Sequence, residues 1–294
     1  MKTITGASIF AMSKDNPPVL TVVSGETLLF ETMDCFSNQV TDEAAGLDAL
    51  DWERINPATG PVAVANAEPG DALKISILDI EVGPVGTMAA IPENGVLGAF
   101  VTQSSVKRIP VSGGVVHFSD AIQLPADPMI GVIGVAPAGD AIPCGEPGSH
   151  GGNMDNTAIR KGATLYLPVF AHGALLAMGD VHACMGDGEI MVTGVEIPAK
   201  VTVKIELLKN ANLEHPMLEN EGSCYAIASH EDLEQAILAA TLTMNRCVMD
   251  KLGLSFNEAG MLLSAAGNLE FCQVVDPKRT VRFAMPKSLL PSLF

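Results

Sequence analysis

Most of the chain reads as short apolar or alternating segments bounded by glycine and proline, the pattern of β-strands and their turns. Residues 20–23 and 27–33 are predicted strands joined by Ser24-Gly25-Glu26, and the second delivers Asp34 to a strand end. After Pro69-Gly70-Asp71-Ala72, the residues Leu73, Ile75 and Ile77 alternate with Lys74, Ser76 and Leu78, which predicts a half-buried strand. Residues 106–111 and 115–118 flank Ser112-Gly113-Gly114 as a hairpin. Further strands are predicted over 129–135, 163–169, 174–178, 190–197, 201–208 and 224–228. Residues 41–61, with the single Trp52, read as a polar surface excursion, and 83–98 and 137–152 as Gly/Pro loops. Gly25-Glu26-Thr27-Leu28, Gly70-Asp71-Ala72-Leu73 and Gly162-Ala163-Thr164-Leu165 each form a glycine turn entering an apolar strand. Common hairpin chemistry and a duplicated β unit both account for that echo.

The period changes near residue 229. Ser229 is a candidate N-cap, with Glu231 and Asp232 in the first turn. Leu233, Ile237, Ala240, Met244, Val248 and Leu252 recur at helical spacing, and Gly253 ends the run. Ser255 and Glu258 make a capping box for a second helix over 256–266, closed by Gly267. Asp276-Pro277 breaks the chain before a last strand at 280–285. The expected architecture is mainly β, as one domain over 1–294, with a β-rich part at 1–228 and an α+β portion carrying a helical pair at 229–294.

The 294 residues suffice for a large core, and an apolar content of 48% with 17% charged residues argues against disorder. The net charge of −17 argues against nucleic acid and anionic membranes as partners. No apolar run approaches the roughly 18 residues needed to span a bilayer, and residues 1–16 lack the pattern of a signal peptide. Six scattered cysteines without a Cys-x-x-Cys pair argue against a structural zinc cage and fit a reducing cytoplasm.

Candidate chemistry concentrates between Cys144 and Ile197. Gly148-Ser149-His150-Gly151-Gly152-Asn153-Met154-Asp155 precedes a strand, and Gly179-Asp180-Val181-His182-Ala183-Cys184-Met185-Gly186-Asp187-Gly188-Glu189 follows it. Glycines let backbone approach a ligand closely. In extended chain Asp180 and His182 fall on one face, where they can share a metal, or Asp180 can orient His182. His150 and Asp155 arrive from the preceding loop, and Asp187 and Glu189 stand where the chain re-enters a strand. Asp34 is a further contributor or a loop cap for nearby amides. Histidine and carboxylate ligation is the joint reading. Zinc is the first expectation and calcium the second, with a carboxylate, Glu189 above all, moving the proton of an activated water. Two alternatives stay open: Cys184 as a thiolate nucleophile, and a non-catalytic β protein that holds a structural metal or small ligand.

These two glycine-rich loops, with Glu31-Thr32-Met33-Asp34-Cys35, the region 60–71 and the helical tail, closely resemble the acetamidase/formamidase family over nearly the whole chain. Some members carry Gln where this chain has Met185. The resemblance implies hydrolysis of a short linear carboxamide to carboxylate and ammonia. It also implies a fold of intertwined β repeats with an α+β portion, and self-association as a homodimer or higher oligomer. Asp34, His150, Asp155, Asp180, His182 and Glu189 fall on the family's acid and histidine positions. We take the first five as candidate metal ligands, and Glu189 and Asp187 as candidate catalytic acids.

Overall fold

A computed structural model describes all 294 residues. Glycine turns feed its largest sheet. Gly25, Gly70 and Gly162 adopt φ of 95°, 95° and 89°, a region that favours glycine. Their amides donate to the backbone carbonyls of Ile205, Val169 and Ile77 respectively. The strands that follow, Thr27–Thr32, Ala72–Val82 and Thr164–Pro168, all lie in one nine-stranded sheet. Its order is Lys2–Ile4, Thr27–Thr32, Ala199–Leu208, Ala72–Val82, Thr164–Pro168, Met217–Glu219, Ser223–His230, Arg279–Pro286 and Asn268–Gln273. A six-stranded sheet sets Gly151–Asn153, Met129–Gly134, Leu176–His182, Ala58–Val64 and Ser8–Ile9 side by side, with Leu20–Val22 also on Ala58–Val64. A third sheet carries Val85–Ala90, Ser105–Ser112, Val115–His117 and Gln123–Pro125.

The chain passes back and forth between the two large sheets. Thr27–Thr32, Ala72–Val82, Thr164–Pro168 and Ala199–Leu208 belong to the first, while Ala58–Val64, Met129–Gly134 and Leu176–His182 belong to the second. Apolar side chains of both meet in one buried cluster of 37 residues that includes Phe30, Val62, Ile75, Ile133, Met178 and Val203. The three central strands of the six-stranded sheet are buried at every position. A strand covered on both faces has no need of alternation. Any polar side chain placed on such a strand is withdrawn from water, and this sheet carries the site.

The mainly β reading with a C-terminal helical pair holds. α1 spans Leu233–Leu252 and ends at Gly253 in the left-handed region, and α2 spans Phe256–Ala266 behind the Ser255/Glu258 capping box. Both pack on a second buried cluster with Tyr166, Met217 and Val281, so the nine-stranded sheet runs through both parts of the chain. No helix is long and apolar enough to cross a membrane.

Five local expectations need correction. The N-cap of α1 is Asp232, whose Oδ1 accepts from the amide of Glu234; Ser229 instead stays in its strand, 2.9 Å from Thr280 Oγ1. Residues 58–61 are not surface but part of the buried strand Ala58–Val64, where a Cβ on Gly60 would lie 2.9 Å from the carbonyl of Leu176. Val85–Ala90 is a strand inside the expected 83–98 loop. Residues 190–197 form no strand: Val192 turns to φ 65°, and only isolated bridges tie Glu196 to Thr87 and His182. Conversely, the strand expected to stop at 178 continues to His182.

Candidate active site

The site grows from one strand pair. Met129–Gly134 and Leu176–His182 run antiparallel with Met129 opposite His182, Ile130 opposite Val181 and Val132 opposite Gly179. Asp180 therefore faces Gly131. A Cβ on residue 131 would collide with Asp155 Oδ1 and lie 2.6 Å from Asp180 Oδ2, so glycine here creates the room in which the two carboxylates meet. The carbonyl of Gly131 also accepts from the amides of Met154 and Asp155, which fixes the loop beyond Gly151–Asn153 over the same point.

Two more acids arrive from the irregular segment that follows. Glu189 closes the Gly186-Asp187-Gly188 loop, which docks on the strand Asn268–Gln273 as the amide of Gly188 donates to the carbonyl of Cys272. Glu196 is held by paired backbone hydrogen bonds with Thr87, and its Oε1 accepts from the amide of Gly194. Gly194 packs so closely on the His182 ring that no side chain fits: a Cβ there would lie 2.6 Å from Nδ1.

His182 is the hub. Its Nε2 lies 3.0 Å from Glu196 Oε2, 3.4 Å from Asp180 Oδ1 and 3.9 Å from Asp155 Oδ1. Ligand atoms of Asp155, His182 and Glu189 lie within 4.8 Å of one another, and so do those of Cys35, Asp180 and Glu196. None of His182, Asp155, Asp180, Glu189 and Glu196 is more than 6% exposed. Yet both oxygens of Asp155, Oδ1 of Asp180, Oε2 of Glu196 and both ring nitrogens of His182 make no well-aligned hydrogen bond with protein. Buried polar atoms are rarely left so. The groups are close without being aligned on each other, as expected of donors arranged around a shared cation. Asp155, Asp180 and Glu189 also sit at positive φ of 39°, 52° and 48°, a region sparse for side-chain-bearing residues and recurrent at functional sites.

Proton affinities follow from this crowding. Burial, then the Asp180 charge, pushes Asp155 up to about 7. Burial raises Glu196 to about 8 against the pull of His182, and burial with the Asp155 charge raises Glu189 well above the carboxylate range. For His182, burial alone disfavours the cation, but Glu196 and Asp180 outweigh it and raise the imidazole well above its usual value. For Asp180, burial is outweighed by His182, and its pKa is lowered. Four acids and one imidazole packed together without solvent favour extra positive charge, which a proton or a metal ion supplies.

Of the expected site residues, Asp155, Asp180, His182 and Glu189 converge. Asp34 is buried beside them but caps its own loop, Oδ1 accepting from the amide of Asn38 at 2.6 Å, and burial raises its pKa. His150 is buried outside both groups, its ring against Gly148 and Gly152, and burial with the nearby Lys278 lowers its pKa to about 4. Asp187 stands partly exposed in an ion pair with Arg282 at 2.6 Å and accepts from Thr157. Cys184 is half-buried, and burial raises its thiol pKa, contrary to what an activated nucleophile needs.

Sequence reasoning missed Glu196, Cys35, Asp276 and Gly131. Glu196 carried a signal, as a single acid in the apolar run from Ile190 to Ile197. Asp276, read as part of a chain break, accepts from Asn153 Nδ2 at 3.0 Å, and burial with the Asp155 charge raises its pKa well above normal. Gly131 and Cys35 had no separate signal, because only the pairing of distant segments gives them a role. Glu189 and Gly194 also line a cleft of about 540 Å³, which connects the cluster to the surface.

The chain and its fold have known relatives. The sequence matches the Acetamidase/Formamidase family over residues 12–145 and 138–287. It is 26% identical over 259 residues to the formamidase of Methylophilus methylotrophus, a match that takes in 67% of this chain and 63% of that protein. The chain thus spans less than two thirds of the length of that curated relative. The crystal structure of an acetamidase from Bacillus halodurans superposes with a TM-score of 0.96 at 45% identity, covering 100% of this chain and 99% of the other. A predicted acetamidase/formamidase from Thermoanaerobacter tengcongensis gives 0.97 at 45% identity, covering 99% and 97%. Because the family match spans most of the chain and these solved structures superpose over nearly all of it, the chain belongs to the acetamidase/formamidase family.

Proposed function

We propose that the protein hydrolyses linear primary carboxamides to carboxylate and ammonia, using a divalent metal ion, zinc before calcium. The observation that carries this reading is the buried set Asp155, Asp180, His182 and Glu196, whose donor atoms face one another without hydrogen-bond partners beside a cleft. Buried carboxylate and imidazole donors suit zinc. These four residues would hold the ion. When bound, it supplies Lewis acidity toward an amide carbonyl and toward water.

Glu189 performs the proton work. It lines the cleft, and its raised proton affinity suits a group that takes a proton from the attacking water and returns it to the amide nitrogen as ammonia departs. Water oxygen bonds to the carbonyl carbon, the carbon–nitrogen bond breaks, and the second water proton passes to the nitrogen or the medium. Asp187 anchors the loop through Arg282 rather than reaching the reacting atoms. Six free thiols without a disulfide fit a reducing compartment.

Ammonia release from acetamide by wild type and Glu189→Gln tests the assignment. Loss of the general base lowers kcat by about 10²-fold or more, with the metal content of the purified protein unchanged. Equal kcat in the two proteins would remove Glu189 from the mechanism.

A further inference from the structure

The cleft is larger and greasier than a two-carbon amide needs. Its volume is about 540 Å³. Acetamide displaces the space of roughly two or three waters, about 60–90 Å³, whereas cavities of about 300–1,000 Å³ enclose drug-sized ligands. Met88, Phe118, Leu124, Met185, Ile190 and Met191 contribute large apolar side chains to its wall. Of the acids there, Asp127 pairs with Arg160 and Asp187 with Arg282, so their charges are answered at the rim. Glu189 is the acid left facing the interior, and it belongs to the buried cluster. Three methionines among the six side chains give a wall that adapts to different apolar shapes.

Ammonia release leaves the amide nitrogen unsubstituted, so any group filling this space hangs on the carbonyl carbon. We propose that the cleft is an acyl pocket, and that the preferred substrates are primary amides of medium-chain apolar acids rather than acetamide or formamide. This assignment rests on the amide-hydrolase reading of the site above.

The test is a series of acetamide, butanamide and hexanamide with the purified holoprotein, alongside calorimetric titration with acetate and hexanoate. Each methylene entering the pocket raises kcat/KM by about fourfold, on the order of 10²-fold from acetamide to hexanamide, and hexanoate binds tighter than acetate by a similar factor. Ile190→Trp and Met185→Trp, both at partly exposed positions, narrow the cleft and lower the hexanamide-to-acetamide ratio of kcat/KM at least tenfold. Acetamide turnover with a flat or falling series, and hexanoate no tighter than acetate, would overturn the pocket while leaving amide hydrolysis standing. A preference for N-hexylacetamide over hexanamide would move the chain to the nitrogen side and overturn the acyl assignment. Tight hexanoate binding with no amide hydrolysed would overturn the amide reading and this substrate class with it.

Discussion

At residue scale, Gly131 decides whether the site exists. Its missing side chain is the space between Asp155 and Asp180. Gly131→Ala forces a methyl group into that space inside a fully buried strand, where overpacking costs about 1–3 kcal/mol. The variant therefore unfolds at lower urea than wild type and purifies with little bound metal; wild-type metal content would show that the carboxylates meet elsewhere. The acids and histidine of the two glycine-rich loops were legible because glycine, acid and imidazole recur together over a short stretch. The two-residue spacing marked Asp180 and His182 as a pair, and they meet at 3.4 Å with Asp180 turned to φ 52°. Glu196 was harder, since it comes from a segment that looks like a strand and is not one. Gly131 was illegible, because one glycine in an apolar run has a purpose only once its opposite residue is known.

At element scale, the C-terminal portion holds the loop that carries Glu189 in place. Gly188 docks on Asn268–Gln273, and Arg282 of the neighbouring strand reaches Glu270, Asp187 and Asn156. Burial alone would disfavour the Arg282 cation, but Cys272, Glu270 and Asp187 more than offset it and raise its pKa. Arg282→Ala leaves Asn156 and two half-exposed acids without their donor, and we expect about 1–3 kcal/mol lower stability in urea unfolding. The drop in kcat should be larger than in an Arg282→Lys variant, which keeps a charge near the loop. Equal stability of Arg282→Ala and wild type would mean the loop is held by its backbone bonds alone. Alternating strands such as Ala72–Val82 and the capped helices were legible, because one exposed face or a capping residue marks them. Strands covered on both faces were blurred at their ends, as at Ala58–Val64 and Leu176–His182, where glycines admit close backbone contact and break the apolar run.

At the scale of the whole molecule, a chain of net charge −17 also buries a knot of acids, and pH must act on it. Asp155 at about 7 and Glu196 at about 8 lie above unfolded carboxylate values of about 4. The folded metal-free chain then holds protons that the unfolded chain has lost, so its stability falls as pH rises from about 4 to about 8. His182, also raised, acts in the same direction: its stabilisation is full below about 6.5 and is lost as pH climbs through its folded value. Asp180, lowered, acts oppositely, and its contribution disappears only in acid. His150, lowered to about 4, gains stability as pH rises from there to about 6.5. A divalent ion displaces the held protons, so its stabilisation grows with pH. The rise in Tm on saturation with zinc is expected to be larger at pH 8 than at pH 6; an equal or smaller rise would mean that these acids are not the ligands.

In the proposed reaction, the buried acids and His182 hold a metal that amide hydrolysis requires. Ammonia release from acetamide and hexanamide, measured on protein as purified, after chelator dialysis and after return of zinc, tests it most directly. Activity is expected to disappear with the chelator and to return with zinc at a stoichiometry set by the cluster. Full activity in chelated protein with no residual metal, or no ammonia from either amide in any metal state, would contradict it.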